Sequence, residues 1–152
     1  MDLTCGRGND ALVMAGLLGN AGRLVCVDVQ IDAIESTRAM LQDQEMEGVD
    51  VEYVCDDHAA WLREKFSGRD DAIGDRVSLA AFNLGWLPGS DKTVITRPES
   101  TIDALNSLTG ANGSQPIVRK GGLVSVMCYI GHPGGSEEHR AVSSFAKGSL
   151  ST

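Results

Sequence analysis

At 152 residues, the chain has the length of one domain and can bury about 68–70% of its unfolded surface. Its 42% apolar and 22% charged residues are typical of a soluble globular protein, and its charge of −8 argues against binding nucleic acid by bulk electrostatics. No apolar run approaches the ~20 residues that span a bilayer. Since no targeting segment precedes Asp2, we expect a cytoplasmic protein without a membrane partner, or an organellar one if a presequence is missing.

Short apolar runs alternate along the chain with segments that have one apolar face, and this alternation predicts strands and helices. Strands are expected at Leu24–Asp28, Val51–Cys55, Val77–Asn83 and Leu123–Ile130, after a short first strand at Met1–Thr4. Helices are expected at Asp10–Leu18, Asp32–Gln42, Ala59–Phe66, Ser100–Leu108 and Ser136–Ala146. We therefore predict a single α/β domain over residues 1–152, with a mostly parallel open sheet and helices on both faces.

The four cysteines, Cys5, Cys26, Cys55 and Cys128, contain no C-x-x-C pair. Three of them end or interrupt apolar strand-like runs, where a thiol behaves as a small buried hydrophobic group. We interpret the cysteines as reduced core thiols and expect no metal site, because the spacing of zinc ligands is absent.

The stretch Asp2-Leu-Thr-Cys-Gly6-Arg-Gly8-Asn-Asp10 ends a predicted strand and opens a predicted helix. Its two glycines allow a sharp turn and the approach of a ligand, and the helix offers unpaired N–H groups. Alone, such a loop can be an ordinary tight turn. Asp28 favours a cofactor site over an ordinary turn, because it ends the next strand, where an acidic side chain binds the ribose hydroxyls of adenosine cofactors. The alternative for Asp28 is a cap of the following helix.

The charges around this loop separate two classes of cofactor. Gly6-x-Gly8-x-x-Ala11 fits the fingerprint of NAD-binding proteins loosely, but the carboxylates of Asp2 and Asp10 would repel a pyrophosphate. S-adenosylmethionine has no phosphate, and it carries an ammonium and a sulfonium that carboxylates attract. The pattern favours S-adenosylmethionine, with an NAD-dependent oxidoreductase as the alternative.

Asp56 follows the predicted Val51–Cys55 strand, with Asp57 and His58 directly behind it. A polar side chain at this position can accept a hydrogen bond from the adenine amino group. The alternative is an N-cap for the helix from Ala59. Both interpretations of Asp56 stay open.

The stretch Ala81-Phe-Asn-Leu-Gly-Trp-Leu-Pro-Gly-Ser-Asp-Lys92 runs off a strand at the carboxyl edge, where open α/β sheets bind ligands. Asn83 offers a hydrogen-bond donor and an acceptor, and Trp86 offers a flat face on which a base can stack. The Pro-Gly pair fixes a sharply turned loop. We interpret this loop as a binding wall, with plain hydrophobic cover as the alternative for Trp86.

A second loop, Tyr129-Ile-Gly-His-Pro-Gly-Gly, leaves the last predicted strand at the same edge. His132 titrates near neutrality and is a candidate to take a proton from an attacking amine. The alternative is that this loop is only a turn and that Glu137 and Glu138 only favour the first turn of a helix. His139 is expected to be a solvated helix residue.

Together these motifs resemble those of a known family. The stretches that carry the resemblance are the Asp2–Asp10 motif, Asp28-Val-Gln30, Phe82–Lys92, Thr96-Arg-Pro-Glu-Ser-Thr101, Lys120-Gly-Gly and Gly131-His-Pro-Gly-Gly. They resemble the small class I methyltransferases labelled "putative rRNA methylases", a group that includes the enzyme methylating the aminomethyl group of the tRNA wobble uridine. Members carry a complete first strand and further strands after the last helix, so we expect an incomplete first strand and missing C-terminal strands here.

The resemblance implies a Rossmann-like class I methyltransferase fold, S-adenosylmethionine as the cofactor, and RNA, above all tRNA, as the partner. A homodimer is an open alternative for its assembly. It implies cofactor contacts at Asp2, Gly6, Gly8, Asp10, Asp28, Gln30, Asp56 and Asn83. It also implies a catalytic crevice that includes Asn83, Asp91, Lys92 and His132, with Leu84 and Gly85 beside them.

An acidic protein needs a local basic patch to hold an RNA stem. Arg97, Arg119 and Lys120, with Lys92, are the candidates that we take from the chain order. The alternative from another functional class is a non-catalytic module that binds S-adenosylmethionine or a protein partner through its open sheet edge.

Overall fold

The computed structural model describes residues 1–44, 46, 48–67, 77–87, 89 and 93–149. The chain divides into two compact units, Met1–Asp57 and His58–Thr152. The organisation as a single domain over residues 1–152 stays a prediction. Within the described residues, no helix combines the length and the apolar character that crossing a membrane requires.

The first unit is built on a pair of parallel strands. Its elements are α1 (Asn9–Leu18), a short 3₁₀ turn (Gly19–Ala21), β1 (Arg23–Asp28), α2 (Ile31–Asp43) and β2 (Asp50–Cys55). β1 and β2 pair from Arg23 opposite Asp50 to Asp28 opposite Cys55. Residues 24–27 of β1 are all buried, because the strand is covered on both faces, as its continuous apolar run predicted.

The segment before α1 pairs with β1 on the other side. Asp2 forms a parallel bridge with Cys26, in which its N–H donates to the Val25 carbonyl and its carbonyl accepts from Val27, both at 2.8 Å. The N–H of Cys5 then donates to the Val27 carbonyl at 3.0 Å. This pairing brings the glycine loop to the carboxyl end of β1.

The second unit is built on another pair of parallel strands. Its elements are α3 (His58–Phe66), β3 (Val77–Leu84), α4 (Pro98–Thr109), β4 (Val118–Cys128) and α5 (Gly135–Ser149). β3 and β4 pair from Val77 opposite Val118 to Leu84 opposite Cys128. α4 begins at a proline, whose missing N–H costs nothing in the first turn, and it ends before Gly110 in the left-handed region.

The α/β organisation with parallel strands is confirmed, and the observed elements match the predicted ones within a few residues except at β4. That strand was expected to begin at Leu123 but begins at Val118, which pairs with Val77 of β3. The added residues include Gly121, with φ +77°, near an irregularity in the register of the two strands. At Gly122 a Cβ would come within 2.6 Å of Val118 Cγ1, so the backbone needs glycine there. The Gly121-Gly122 pair, which precedes the predicted start of the strand, therefore belongs to it.

The expectation that the strands are covered on both faces is wrong for β2, in which no residue is buried, and for β4. The side chains of β4 alternate, and Leu123 and Met127 are 60% and 56% exposed because no described residue covers that face. The core interpretation of the cysteines holds for Cys5 and Cys26, which are free and buried, and burial raises the pKa of the Cys5 thiol to about 12. It is wrong for Cys55, which is exposed at the end of β2.

Candidate functional site

The glycine loop turns through two residues in the left-handed region, Gly6 (φ +52°) and Gly8 (φ +86°), and Gly8 is the N-cap of α1. A Cβ at Gly8 would lie 2.9 Å from the Cα of Thr37. Glycine is required at this position because α2 packs directly against the loop, rather than to leave room for a ligand. A cofactor contact at Gly8 stays a prediction.

Thr37 on α2 holds this loop in place, and the only sign of this role in the sequence is a polar residue on a mainly apolar helix face. Its side chain is fully buried. The hydroxyl lies 3.2 Å from the Gly6 carbonyl oxygen and 3.4 Å from that of Cys5, so it donates to the inner side of the turn. The curvature of the loop therefore depends on α2 as well as on its own glycines.

Asp28 lies at the carboxyl end of β1 and bonds two backbone groups. Its Oδ2 accepts from the Gly6 N–H and its Oδ1 from the Gln30 N–H, both at 3.0 Å. Gln30 is the N-cap residue of α2, so Asp28 bonds the residue directly before the helix. The two interpretations of Asp28, a cap of α2 and a contact to ribose hydroxyls, both stay open.

Asp2 is the most unusual group in the first unit. It is only 1% exposed, and its Oδ2 has no hydrogen-bond partner among the described residues, while its Oδ1 accepts from the Thr4 N–H at 3.4 Å. The pKa of Asp2 is raised from 3.8 to about 7, mainly by burial and in part by the neighbouring Asp10 and Asp28, while the Thr4 N–H and the N-terminal ammonium act in the opposite direction. A buried, unpaired carboxylate oxygen beside two other acids is suited to a cationic group.

The remaining candidates of the first unit surround the same strand ends. Asp10 is exposed in the first turn of α1, and Gln30 is half-buried before α2. The N–H of Asp56 donates to the Asp28 carbonyl at 3.0 Å, so these two acids end neighbouring strands at one edge. The Asp56 side chain is exposed and accepts from the Asp57 N–H at 2.7 Å.

In the second unit, Asn83 is exposed near the carboxyl end of β3, opposite Met127 of β4. The chain then folds back on itself, because Gly85 donates to Thr96 Oγ1 at 2.8 Å and accepts from the Thr96 N–H at 3.0 Å. An antiparallel bridge between Trp86 and Ile95 continues this turn. Two of the predicted catalytic residues, Asp91 and Lys92, lie outside the described residues.

His132 packs edge-to-face against Trp86, with ring centroids 4.8 Å apart. Its Nδ1 lies 2.9 Å from the Pro133 carbonyl oxygen, an arrangement that places the proton on Nδ1 and leaves Nε2 as the acceptor. Nε2 is buried and has no hydrogen-bond partner among the described residues. A Cβ at Gly135 would collide first with the Tyr129 carbonyl oxygen and would also come within 2.9 Å of Nε2, so the second glycine of the His-Pro-Gly-Gly segment makes room for the Tyr129 backbone as well as for the ring.

Two polar clusters of the second unit were missed. Glu138 was interpreted only as a helix-favouring residue, yet it is 2% exposed and accepts hydrogen bonds from Thr96 and Thr101, both at 2.8 Å. His58, at the start of α3, is buried, packs edge-to-face on Phe82, and lies 3.1 Å from Ser100 Oγ through its Nε2. The contact between His58 and Ser100 joins α3 to α4, and we interpret it as structural.

The basic patch taken from the chain order is wrong as a single patch. Arg119 and Lys120 lie at the amino end of β4, near Val77, whereas Arg97 directly precedes α4 beside Thr96. The two groups are separated by the length of β3, on the order of 20 Å. Only Arg97 is near the carboxyl edge that carries Asn83 and His132, and Lys92 lies outside the described residues.

Comparisons with known proteins agree on one family. The family model described as "Putative rRNA methylase" matches residues 24–151. A curated relative from Arabidopsis thaliana, "tRNA (mnm(5)s(2)U34)-methyltransferase, chloroplastic", is 38% identical over 157 residues, which cover 97% of this chain and 52% of the relative. The chain therefore spans about half the length of that relative.

Solved structures with similar folds carry related names. A putative rRNA-methylase from Clostridium thermocellum is 35% identical with a TM-score of 0.81, and the match covers 97% of this chain and 71% of that one. A putative methyltransferase from Streptococcus mutans, solved in complex with SAH, is 29% identical with a TM-score of 0.75, and the match covers 96% and 69% of the two chains.

Proposed function

We propose that this chain, which belongs to the Putative rRNA methylase family, transfers methyl groups from S-adenosylmethionine to RNA. The observation that carries the proposal is the buried, unpartnered carboxylate oxygen of Asp2, which lies near Asp10 and Asp28. An acidic cluster of this kind attracts an ammonium or a sulfonium and repels a pyrophosphate. The relative solved with SAH supports the same class of cofactor.

The first unit holds the cofactor in this proposal. Asp28 binds the ribose hydroxyls, and its bond to the Gly6 N–H keeps the glycine loop beside the ribose. Asp56, at the end of the neighbouring strand, accepts from the adenine amino group. Asp2 and Asp10 face the cationic part of the cofactor, while Gly6, Gly8 and Gln30 contribute backbone groups.

The substrate we propose is the aminomethyl group of the wobble uridine of tRNA, because the Arabidopsis thaliana relative is named for a modification of that nucleotide. S-adenosylmethionine supplies a methyl group on a sulfonium, which leaves as a neutral thioether. The attacking amine must be unprotonated and aligned with the methyl group, so positioning and exclusion of water dominate the rate. Asn83 orients the amine, and Asp91 and Lys92 stay predicted members of this crevice.

The proton released by the amine goes to His132 Nε2 or to water. Nε2 carries a free lone pair, but it lies against Gly85 and Gly135 and accepts a proton only after the ring or its loop moves. His132→Ala separates the two routes: direct acceptance predicts a loss of about 10²–10⁴ in kcat, and transfer to water predicts a small loss.

The decisive experiment combines cofactor binding with methyl transfer. Asp28→Ala should weaken S-adenosylmethionine binding in calorimetry at least tenfold, while Asp43→Ala, an exposed acid in the last turn of α2, should bind as the parent does. Equal binding by Asp28→Ala would overturn the assignment of the cofactor site.

Transfer is measured with radiolabelled cofactor on unmodified and aminomethylated tRNA. Label incorporated only into the aminomethylated tRNA supports the wobble-uridine substrate. Binding without transfer to either tRNA would favour the non-catalytic module instead, and binding of NADH where S-adenosylmethionine fails would favour an oxidoreductase.

The chain's assembly and compartment are proposals too. Light scattering after gel filtration distinguishes a monomer from a homodimer. The Arabidopsis thaliana relative is named chloroplastic, so an organelle stands beside the cytoplasm as the compartment to be tested by localising the tagged protein.

A further inference from the structure

We propose that Glu138 is a positioning residue, which fixes the loop after β3 by acting through Thr96 on the backbone of Gly85. This proposal rests on the proposed methyl transfer and names a residue that its mechanism does not yet use. Glu138 is a carboxylate with 2% exposure, and both of its oxygens are occupied by threonine hydroxyls at 2.8 Å.

A short chain of hydrogen bonds leads from Glu138 to the loop. Thr96 donates its hydroxyl proton to Glu138 Oε2, and the same Thr96 oxygen accepts from the Gly85 N–H at 2.8 Å. A hydroxyl that donates to a carboxylate becomes a stronger acceptor, so the charge of Glu138 strengthens the bond to Gly85. Gly85, with φ +140°, directly follows β3, so its peptide sets the direction in which the chain leaves the strand towards Trp86, just beyond Asn83.

The backbone of Glu138 connects the same residue to the second loop. Its N–H donates to the Gly134 carbonyl at 3.0 Å, and the N–H of Gly135 donates to the His132 carbonyl at 3.1 Å. Glu138 therefore lies in the first turn of α5, directly after the loop that holds His132. One residue thus joins the loop after β3, which begins two residues beyond Asn83 and carries Trp86, to the loop after β4, which carries His132.

The second oxygen of Glu138 provides an internal comparison. Thr101, in the first turn of α4, donates to Oε1 at the same distance of 2.8 Å, but no described bond continues from it to Gly85. Burying a carboxylate is costly, and the two charge-assisted bonds together with the N-terminal end of α5 offset that cost. The Thr96 and Thr101 bonds are alike in chemistry and length, although only the Thr101 bond is fully buried, and they differ in what lies beyond them.

This difference defines the variants. Thr96→Val and Thr101→Val each remove one hydroxyl at nearly constant volume, and Thr96→Ser keeps the hydroxyl. We expect Thr96→Val and Glu138→Gln to lower kcat about 10- to 100-fold, the range for a misplaced reacting group, with the dissociation constant of S-adenosylmethionine unchanged within twofold. Thr101→Val should keep kcat within threefold of the parent, and Thr96→Ser should restore most of the activity.

A readout independent of catalysis separates this proposal from the proposed function. The exchange rate of the Gly85 amide hydrogen, measured by NMR, should rise at least tenfold in Thr96→Val and Glu138→Gln and stay near the parent value in Thr101→Val. A parent that shows no methyl transfer would refute the proposed function and leave this measurement intact. If Glu138→Gln does not fold, the Thr96→Val and Thr96→Ser pair carries the test.

Two results would overturn the positioning role. The first is a Gly85 amide that exchanges at the parent rate in Thr96→Val. The second is a Thr101→Val variant that loses as much kcat as Thr96→Val, since Glu138 would then serve only the stability of the unit.

Discussion

Replacing Asp2 by asparagine is expected to stabilise the protein above pH 7 and to leave its stability nearly unchanged near pH 4. Asp2 is 1% exposed, and burial raises its pKa from 3.8 to about 7. Between these two values the folded chain keeps a proton that the unfolded chain has lost, so the contribution of Asp2 to stability is lost as the pH rises through the folded pKa.

The size of this effect follows from the pKa values. The rise from 3.8 to about 7 corresponds to about 4 kcal/mol at about 1.4 kcal/mol for each pKa unit. Asparagine has nearly the same shape and no charge, so the Asp2→Asn variant lacks this pH-dependent cost. The free energy of unfolding of the variant should therefore exceed that of the parent by up to about 4 kcal/mol at pH 8.

The assay is urea unfolding at pH 4.5, 6 and 8, followed by tryptophan fluorescence, for the parent and for Asp2→Asn. Asp43→Asn, a change at an exposed acid of α2, is the control and should differ from the parent by the same amount at each pH. A constant difference between Asp2→Asn and the parent across this range would refute the reasoning. The variant should also bind S-adenosylmethionine more weakly, and binding to the parent near pH 6.5 should release a proton, since a cation favours the ionised Asp2.

Three further predictions concern the loop contacts and the RNA. Thr37→Val should lower the free energy of unfolding by about 1–3 kcal/mol in urea titrations, because the Cys5 and Gly6 carbonyls lose their donor, while Thr37→Ser should stay closer to the parent. Gly8→Ala should lower the thermal midpoint of unfolding, because the residue has φ +86° and the new Cβ would lie 2.9 Å from the Cα of Thr37. Gly16→Ala is the control. Its Cβ meets nothing within 4 Å, and the variant should raise the free energy of unfolding by up to about 1 kcal/mol. Arg97→Ala should raise the KM for tRNA and reduce the salt dependence of that KM. Arg119→Ala, at the amino end of β4, should leave both quantities unchanged. Equal effects of the two variants would show that both arginines contact the RNA, as the single basic patch predicted.

The sequence was sufficient for the parts of the fold that depend on local pattern. The run from Leu24 to Val27 is continuous in apolar residues because β1 is buried on both faces, and Asp28 therefore had to emerge at the carboxyl edge. The family resemblance drawn from the motifs is confirmed by the match over residues 24–151. The start of β4 was missed because a Gly-Gly pair is typical of a loop, and only pairing with β3 keeps it in the strand.

The contacts that organise the site depend on distant residues and leave no local pattern. Glu138 follows another glutamate at the start of a helix, a position where an exposed acid is the ordinary outcome. Its burial results from Thr96 and Thr101, which are 42 and 37 residues away in the chain.

The same reasoning changes the role of the glycines. Gly8 lies against Thr37 on α2, and Gly135 lies against the Tyr129 carbonyl and the His132 ring, so each makes room for parts of the protein itself. Glycine spacing therefore reports how closely the elements pack around the site. The buried charges of Asp2 and Glu138 carry the chemical information, because a protein keeps a carboxylate out of water only where a partner or a ligand compensates for it. Asp2 Oδ2 has no hydrogen-bond partner among the described residues, whereas both oxygens of Glu138 have one, which is why the first points to a bound cation and the second to the positioning of a loop.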